Sequence, residues 1–112
     1  MKPSIFHSIA KEFTKLAGER LGDHLISLSL YGSVIRHEMG KFSDIDFFAI
    51  VSGKRAKGIL YDIAFDLELK YGIPISLGIR TLQEARASKK AGSIYLKEVF
   101  ETGRIIYGRD AV

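Results

Sequence analysis

Two short stretches decide how this chain folds: Leu30-Tyr31-Gly32-Ser33 and, after ten intervening residues, Asp44-Ile45-Asp46. Alternating apolar and small polar residues lead into the first stretch, which predicts a β-strand over residues 25–30. Residues 44–51 are strongly apolar except at their start and predict a second strand. The pattern therefore joins a glycine-serine turn to two carboxylates at the beginning of a buried strand.

The two carboxylates are expected on the same face of this strand. Side chains alternate between the faces of a β-strand, so Asp44 and Asp46 point to one side, about 6 to 7 Å apart along the chain. The same alternation assigns the following side chains to two faces: Phe48 and Ile50 with the aspartates, and Ile45, Phe47, Ala49 and Val51 on the other. Both faces are buried beyond the carboxylates.

A divalent cation would explain the aspartate pair. Two like charges at the rim of a buried strand repel each other and lose hydration, a cost that a cation with oxygen ligands offsets. Mg²⁺ is the natural ion, with Mn²⁺ as a substitute. In the alternative interpretation, Asp44 caps a turn and Asp46 accepts a hydrogen bond from a neighbouring backbone N–H. The combination of features favours the metal, whereas a lone aspartate would favour the alternative.

The glycine-serine turn leads into a short helix, which is predicted over residues 34–39. The N–H groups and the positive dipole end of that helix would face the turn, which favours an anion such as a polyphosphate. Gly32 lets the backbone approach a ligand closely, and Ser33 adds a hydroxyl donor. The turn is therefore a predicted phosphate site.

These residues resemble a known signature. Gly32-Ser33, ten residues and Asp44-Ile45-Asp46 are similar to the Gly-Ser-x10-Asp-x-Asp motif of the minimal nucleotidyltransferases, small relatives of the DNA polymerase beta superfamily. The residues that flank the motif also resemble that family, in Tyr31-Gly32-Ser33 and in Ser43-Asp44-Ile45-Asp46. The resemblance implies Mg²⁺-dependent transfer of AMP from ATP to a hydroxyl acceptor. In the best-known branch, such proteins are antitoxins that attach AMP to a partner HEPN-domain toxin.

The resemblance also implies roles for particular side chains. Asp44 and Asp46 would be the catalytic metal ligands. The nucleotide would be bound by Gly32, Ser33, Arg36 and Ser43. Arg36 or Lys41 would neutralise the triphosphate, although a solvent-facing charge explains either residue equally well.

One feature departs from the family pattern. Active members usually carry a third carboxylate on the next strand, but the strand predicted over residues 73–79 has no acid, and Ser76 is expected in that place. A positioned base typically contributes 10²- to 10⁴-fold, or roughly 3 to 5.5 kcal/mol of barrier. Two further functions therefore stay open beside the enzyme: an antitoxin-like protein of weakened activity that masks a partner, and, ranked last, a terminal nucleotidyltransferase of nucleic acids.

Other carboxylates close in sequence belong to a predicted amphipathic helix over residues 56–70. Asp62, Asp66 and Glu68 are expected on its solvated face, with Asp66 and Lys70 as an ordinary i, i+4 ion pair. They are therefore not expected to replace the missing carboxylate.

The remaining pattern predicts alternating helices and strands. A first helix is expected with Ser4 as its cap and Gly18 or Gly22 near its end, two further helices are expected over residues 82–88 and 93–102, and a strand over 104–108. Thr81 and Glu84 resemble a capping box. The predicted fold is α/β (α+β), one nucleotidyltransferase-like domain over residues 1–112, with a mixed β-sheet and helices packed against it.

Composition limits the function classes. The chain has 112 residues, 46% of them hydrophobic, and no cysteine, which excludes a disulfide framework and a thiol nucleophile. No apolar run reaches the length of about 18 residues that a membrane helix needs, so we expect a cytoplasmic protein. The net charge is +4, but the basic residues are dispersed, which disfavours nucleic acid as a partner. Tyrosines and phenylalanines fall mostly in periodic apolar segments and are interpreted as core. Acceptor recognition is then expected from a helical partner such as a HEPN-type toxin, or from self-association.

Overall fold

The chain forms a four-stranded mixed sheet with helices on both faces, in a computed structural model that describes residues 4–32 and 44–108. The helices are α1 (Ile5–Leu21), α2 (Arg55–Tyr71), α3 (Leu82–Lys90) and α4 (Ile94–Thr102), and a 3₁₀ turn covers Gly22–His24. The strands are β1 (Leu25–Tyr31), β2 (Ile45–Val51), β3 (Ile75–Thr81) and β4 (Arg104–Gly108). This architecture confirms the predicted fold class. The helix predicted over residues 34–39 lies outside the described residues.

The sheet has the order β3-β2-β1-β4. β2 is parallel to β3, whereas β1 is antiparallel to both β2 and β4. β3 is an edge strand of the sheet, and Pro74, which cannot donate a ladder hydrogen bond, directly precedes it. The strand begins at Ile75 rather than at the predicted residue 73.

One face of the sheet is covered by α1 and α2. Phe13 of α1 stacks on Phe47 of β2, with ring centroids 4.3 Å apart and an interplanar angle of 20°. Leu60 and Ile63 of α2 are fully buried in the same cluster. As predicted, Ser4 caps the start of α1, and its hydroxyl accepts a hydrogen bond from the His7 N–H; of the two glycines expected near the end of the helix, Gly22 is the C-cap.

The other face is covered by α3 and α4 and has a smaller core. Phe48 and Ile50 of β2 pack there against Leu96 and Val99 of α4. The predicted alternation along β2 is therefore confirmed, because its remaining apolar residues belong to the cluster on the first face. The predicted capping box at the start of α3 is also present.

Two predictions about α2 are wrong. Lys70 pairs with Glu12 of α1 at 2.7 Å, where the sequence predicts Asp66 as its partner. Glu68 is half-buried rather than solvated, and its Oε1 accepts a hydrogen bond of 2.6 Å from the Ile75 N–H at the start of β3. Both contacts join elements that lie apart in sequence, so helical spacing alone could not reveal them. Asp62 and Asp66 are exposed as predicted.

Within the described residues, no helix is both long enough and apolar enough to cross a membrane.

Candidate functional site

The candidate site lies where β1 ends and β2 begins. Asp46 is paired in register with Tyr31 of β1 on one side and with Ser76 of β3 on the other. Its position in the alternation of β2 assigns it to the α3/α4 face, together with Phe48. Asp44 is exposed and precedes the strand, which begins at Ile45 instead of the predicted residue 44. Asp46 is thus anchored in the sheet, and Asp44 stands at its rim.

Glycine is required at position 32 by the carboxylate of Asp46. Gly32 has a φ of 76°, in the left-handed region that favours glycine. A Cβ atom added there would clash with Oδ2 of Asp46. The backbone turn after β1 and the Asp46 carboxylate are therefore in direct contact, which joins the two stretches that the sequence analysis singles out.

A tyrosine pair borders the site, and the sequence analysis does not identify it. The hydroxyls of Tyr31 and Tyr95 lie 3.0 Å apart, and their rings meet edge to face with centroids 6.1 Å apart. Burial first, and then the hydrogen bond to Tyr95, raise the pKa of Tyr31, and the negative charge of Asp46 adds to this effect. The Tyr31 hydroxyl is therefore protonated at neutral pH and is a poor base.

Space for this pair comes from Gly78 on β3. A Cβ atom at Gly78 would clash with the hydroxyl of Tyr95. The guanidinium of Arg80, two residues further along β3, lies 5.8 Å from the centroid of the Tyr95 ring. The glycine at 78 was the signal available in the sequence, because a glycine inside a strand indicates a close approach by another group.

The position next to Asp46 on β3 is occupied by Ser76, which is half-buried. A hydroxyl of ordinary acidity neither holds a cation as a carboxylate does nor removes a proton efficiently. The acids of α2 do not substitute for it, because α2 covers the opposite face of the sheet and Glu68 is engaged at the start of β3.

The same sheet face carries a cavity of about 270 Å³ beside β4. Its floor includes the buried serines Ser27 and Ser29 of β1, which precede Tyr31 along the strand. The other lining residues are apolar or glycine: Ile50, Val99, Phe100, Gly103 and Ile105.

The donor set fits Mg²⁺ bound together with a nucleotide. In the described part of the chain, no three His, Cys, Asp or Glu side chains converge as a metal cage. Mg²⁺ in phosphoryl-transfer sites is commonly held by one or two carboxylates together with phosphate oxygens and water. Asp44 and Asp46 match that requirement in chemistry and number. The predicted nucleotide-binding residues Ser33, Arg36 and Ser43 lie outside the described residues.

Comparisons with known proteins agree with this geometry. The sequence profile of the nucleotidyltransferase domain family matches residues 10–101. A candidate protein adenylyltransferase of Methanocaldococcus jannaschii is 31% identical over 116 aligned positions, which cover 98% of this chain and 77% of that protein.

Two solved structures have a similar fold. One contains tri-AMPylated Shewanella oneidensis HEPN toxin in complex with MNT antitoxin, with a TM-score of 0.60, 16% identity, and coverage of 94% of this chain and 74% of the other. The second is an Enterococcus spectinomycin adenyltransferase with ATP and spectinomycin. Its TM-score is 0.67 at 19% identity, and the match covers 93% of this chain and 56% of that enzyme. The matched profile and the M. jannaschii relative each span most of the chain, so this protein belongs to the nucleotidyltransferase domain family.

Proposed function

We propose that this protein transfers AMP from ATP to a hydroxyl group of a partner protein in a Mg²⁺-dependent reaction. The observation that carries the proposal is the contact between Gly32 and the Asp46 carboxylate at the end of β1. The contact brings the predicted phosphate turn at Gly32 next to the predicted metal ligand Asp46, in a chain that belongs to the nucleotidyltransferase domain family.

The residues have distinct roles in this proposal. Asp44 and Asp46 hold Mg²⁺, which when bound neutralises the triphosphate and stabilises the charge that develops on the entering and leaving oxygens. Gly32 lets the turn approach the phosphates, and Ser33, Arg36 and Ser43 bind them. The acceptor oxygen forms a bond to the α-phosphorus, the bond to the β-phosphate oxygen breaks, and pyrophosphate leaves. The acceptor proton passes to water, because neither Ser76 nor the protonated Tyr31 is an effective base.

A protein acceptor is supported by two relatives. The M. jannaschii protein is named as a candidate protein adenylyltransferase, and the S. oneidensis structure contains an AMPylated HEPN toxin with an MNT antitoxin. A HEPN-type toxin is therefore the acceptor class that we propose. The small-molecule acceptor of the spectinomycin enzyme is the competing class.

A second candidate function is favoured by Ser76. Because a hydroxyl stands in register with Asp46 where the family's active members usually place a carboxylate, the chain could bind nucleotide with little turnover. It would then neutralise its partner by covering it, as an antitoxin-like binding protein.

Calorimetry tests the nucleotide site. We expect ATP to bind in the presence of Mg²⁺ and to lose most of its affinity in excess chelator. Asp46→Asn and Asp44→Asn should each remove the Mg²⁺-dependent part, whereas Asp62→Asn, an exposed carboxylate on α2, is the matched control and should leave it unchanged. Equal affinities in the native protein and both site variants would reject the assignment.

A transfer assay separates the two functions. The native chain, Ser76→Asp and Ser76→Asn are incubated with α-labelled ATP, Mg²⁺ and a purified HEPN-type toxin. Label on the toxin from the native chain supports the enzyme, and we expect Ser76→Asp to increase the rate at least about 10-fold while Ser76→Asn does not. Tight toxin binding without label from any variant would support the masking function.

A further inference from the structure

The outward face of α2 carries a stripe of large apolar side chains that the nucleotide site does not use. Tyr61, Phe65 and Leu69 are 53%, 60% and 71% exposed, and they follow one another at intervals of four residues. The buried side of the same helix is formed by other residues, including Leu60, Ile63 and Leu67. The stripe therefore points away from the sheet, and more than half of the surface of each of its residues is exposed.

A gap and two opposite charges accompany this stripe. Gly58 lies within about 40° of Phe65 and Leu69 around the helix axis, and nothing lies within 4 Å of the position of its missing Cβ atom. Arg55 and Asp66 are exposed on one and the same flank of the stripe. Neither of them forms an ion pair with any other described residue. The surface thus combines a protruding ring at Phe65, a depression at Gly58, and two charges that have no ion-pair partner among the described residues.

These features complement one another across a two-fold axis. When a second copy of α2 lies antiparallel with the axis beside Tyr61, positions before and after Tyr61 come opposite each other if their separations from Tyr61 agree to within one residue, about 1.5 Å along the helix. Phe65, four residues after Tyr61, then faces Gly58, three residues before it. Arg55, six residues before Tyr61 in one copy, faces Asp66, five residues after Tyr61 in the other copy. Both residues are on the same flank of the helix, and the two-fold axis places this flank of one copy next to the same flank of the other.

We propose that the outward face of α2 is a homodimer interface in which two copies pack antiparallel around Tyr61. The three apolar side chains leave on the order of 100 Å² each in contact with water, or about 600 Å² over two copies, which is the size of a weak, transient interface. The dimer is therefore concentration-dependent. α2 covers the sheet face opposite to Asp46, which leaves both nucleotide sites open to a protein acceptor.

Charge reversal provides a decisive test. Sedimentation velocity over a range of concentrations is run on the full chain, on Arg55→Glu and on Asp66→Lys. Each variant alone places like charges at two symmetric contacts, and we expect its dimer dissociation constant to rise about 10-fold or more. An equimolar mixture of the two variants restores both opposite-charge pairs, so heterodimers should form with nearly native affinity. Arg86→Glu, an exposed charge on α3, is the matched control and should leave association unchanged.

Three results would contradict the proposed dimer interface. A native chain that stays monomeric up to about 1 mM, a dimer that neither variant weakens, or variants whose mixture does not associate would each overturn the interface. Circular dichroism verifies folding of every variant. Mg²⁺-ATP binding should be unchanged in all of them, so failure of the interface and failure of the proposed nucleotide site are seen separately.

Discussion

The two faces of the sheet divide structure and chemistry between them. On the α1/α2 face, the buried cluster extends along α1, the sheet and α2 and consists of apolar side chains, with Phe13 stacked on Phe47. On the α3/α4 face, the buried cluster is smaller, and hydroxyls and a carboxylate border it, among them the Tyr31–Tyr95 pair and Asp46. One strand, β2, therefore anchors the fold with alternate residues and supplies the site with the others.

Substitutions at two adjacent residues of β2, Phe47 and Asp46, should change the free energy of unfolding by very different amounts. Phe47→Ala removes a fully buried ring from the first face and should cost about 3 to 5 kcal/mol of unfolding free energy, enough to unfold much of the protein. Asp46→Asn changes the neighbouring residue on the second face and should cost less than about 1 kcal/mol. Urea denaturation followed by circular dichroism measures both. Equal losses would contradict the division between the faces.

Gly32→Ala should lower both the stability of the fold and the affinity for Mg²⁺-ATP. The substitution places a side chain at a φ of 76° and against the Asp46 carboxylate, so we expect a loss of about 2 kcal/mol and weaker Mg²⁺-ATP binding. Gly72→Ala is the matched control, because Gly72 has a φ of 69° but nothing within 4 Å of the added Cβ atom. A control that loses as much nucleotide affinity as Gly32→Ala would show that strain, rather than displacement of Asp46, is responsible.

Gly78→Ala tests how closely the Tyr95 hydroxyl approaches β3. The added Cβ atom displaces the Tyr95 hydroxyl, and we expect a loss of about 1 to 2 kcal/mol. In a Tyr95→Phe background that hydroxyl is absent and only the tight contacts with the two rings remain, the nearest at 3.3 Å from Phe48, so the same change should cost clearly less. A double-mutant cycle by denaturation measures the coupling. An unchanged cost of Gly78→Ala in both backgrounds would contradict the close approach of the Tyr95 hydroxyl.

The smallest effect concerns the contact between α2 and α3. The Lys57 ammonium, 2.7 Å from Glu84, and the Thr81 N–H lower the pKa of Glu84 to about 2. Because this pKa is below the ordinary value of 4.5, the charge of Glu84 stabilises the fold above about pH 4.5 and loses its effect as the pH falls towards 2. Glu84→Gln keeps an acceptor for the cap, so it should lower Tm slightly at pH 7 and not at pH 2. Glu101→Gln, exposed on α4, serves as the control.

Local signals in the sequence predicted most of the fold. Serine and threonine at helix starts identified Ser4 and the Thr81–Glu84 cap, because capping depends on residues only a few positions apart, whereas glycine left the end of the first helix open between Gly18 and Gly22. Alternation along β2 predicted which of its side chains share a face of the sheet. The same rules failed for Lys70 and Glu68, whose partners Glu12 and Ile75 become neighbours only when α1 and β3 pack beside α2.

The candidate site divides in the same way. Residue types at fixed spacing were enough to predict the family resemblance, the glycine-serine turn, the aspartate pair and the place of Ser76 on the third strand, and the register of β2 with β3 confirms that place. The tertiary structure was needed to show that Asp46 lies against Gly32 and that Gly78 admits the Tyr95 hydroxyl. The physical reason is that side-chain clearance depends on how distant segments pack, which no local pattern encodes.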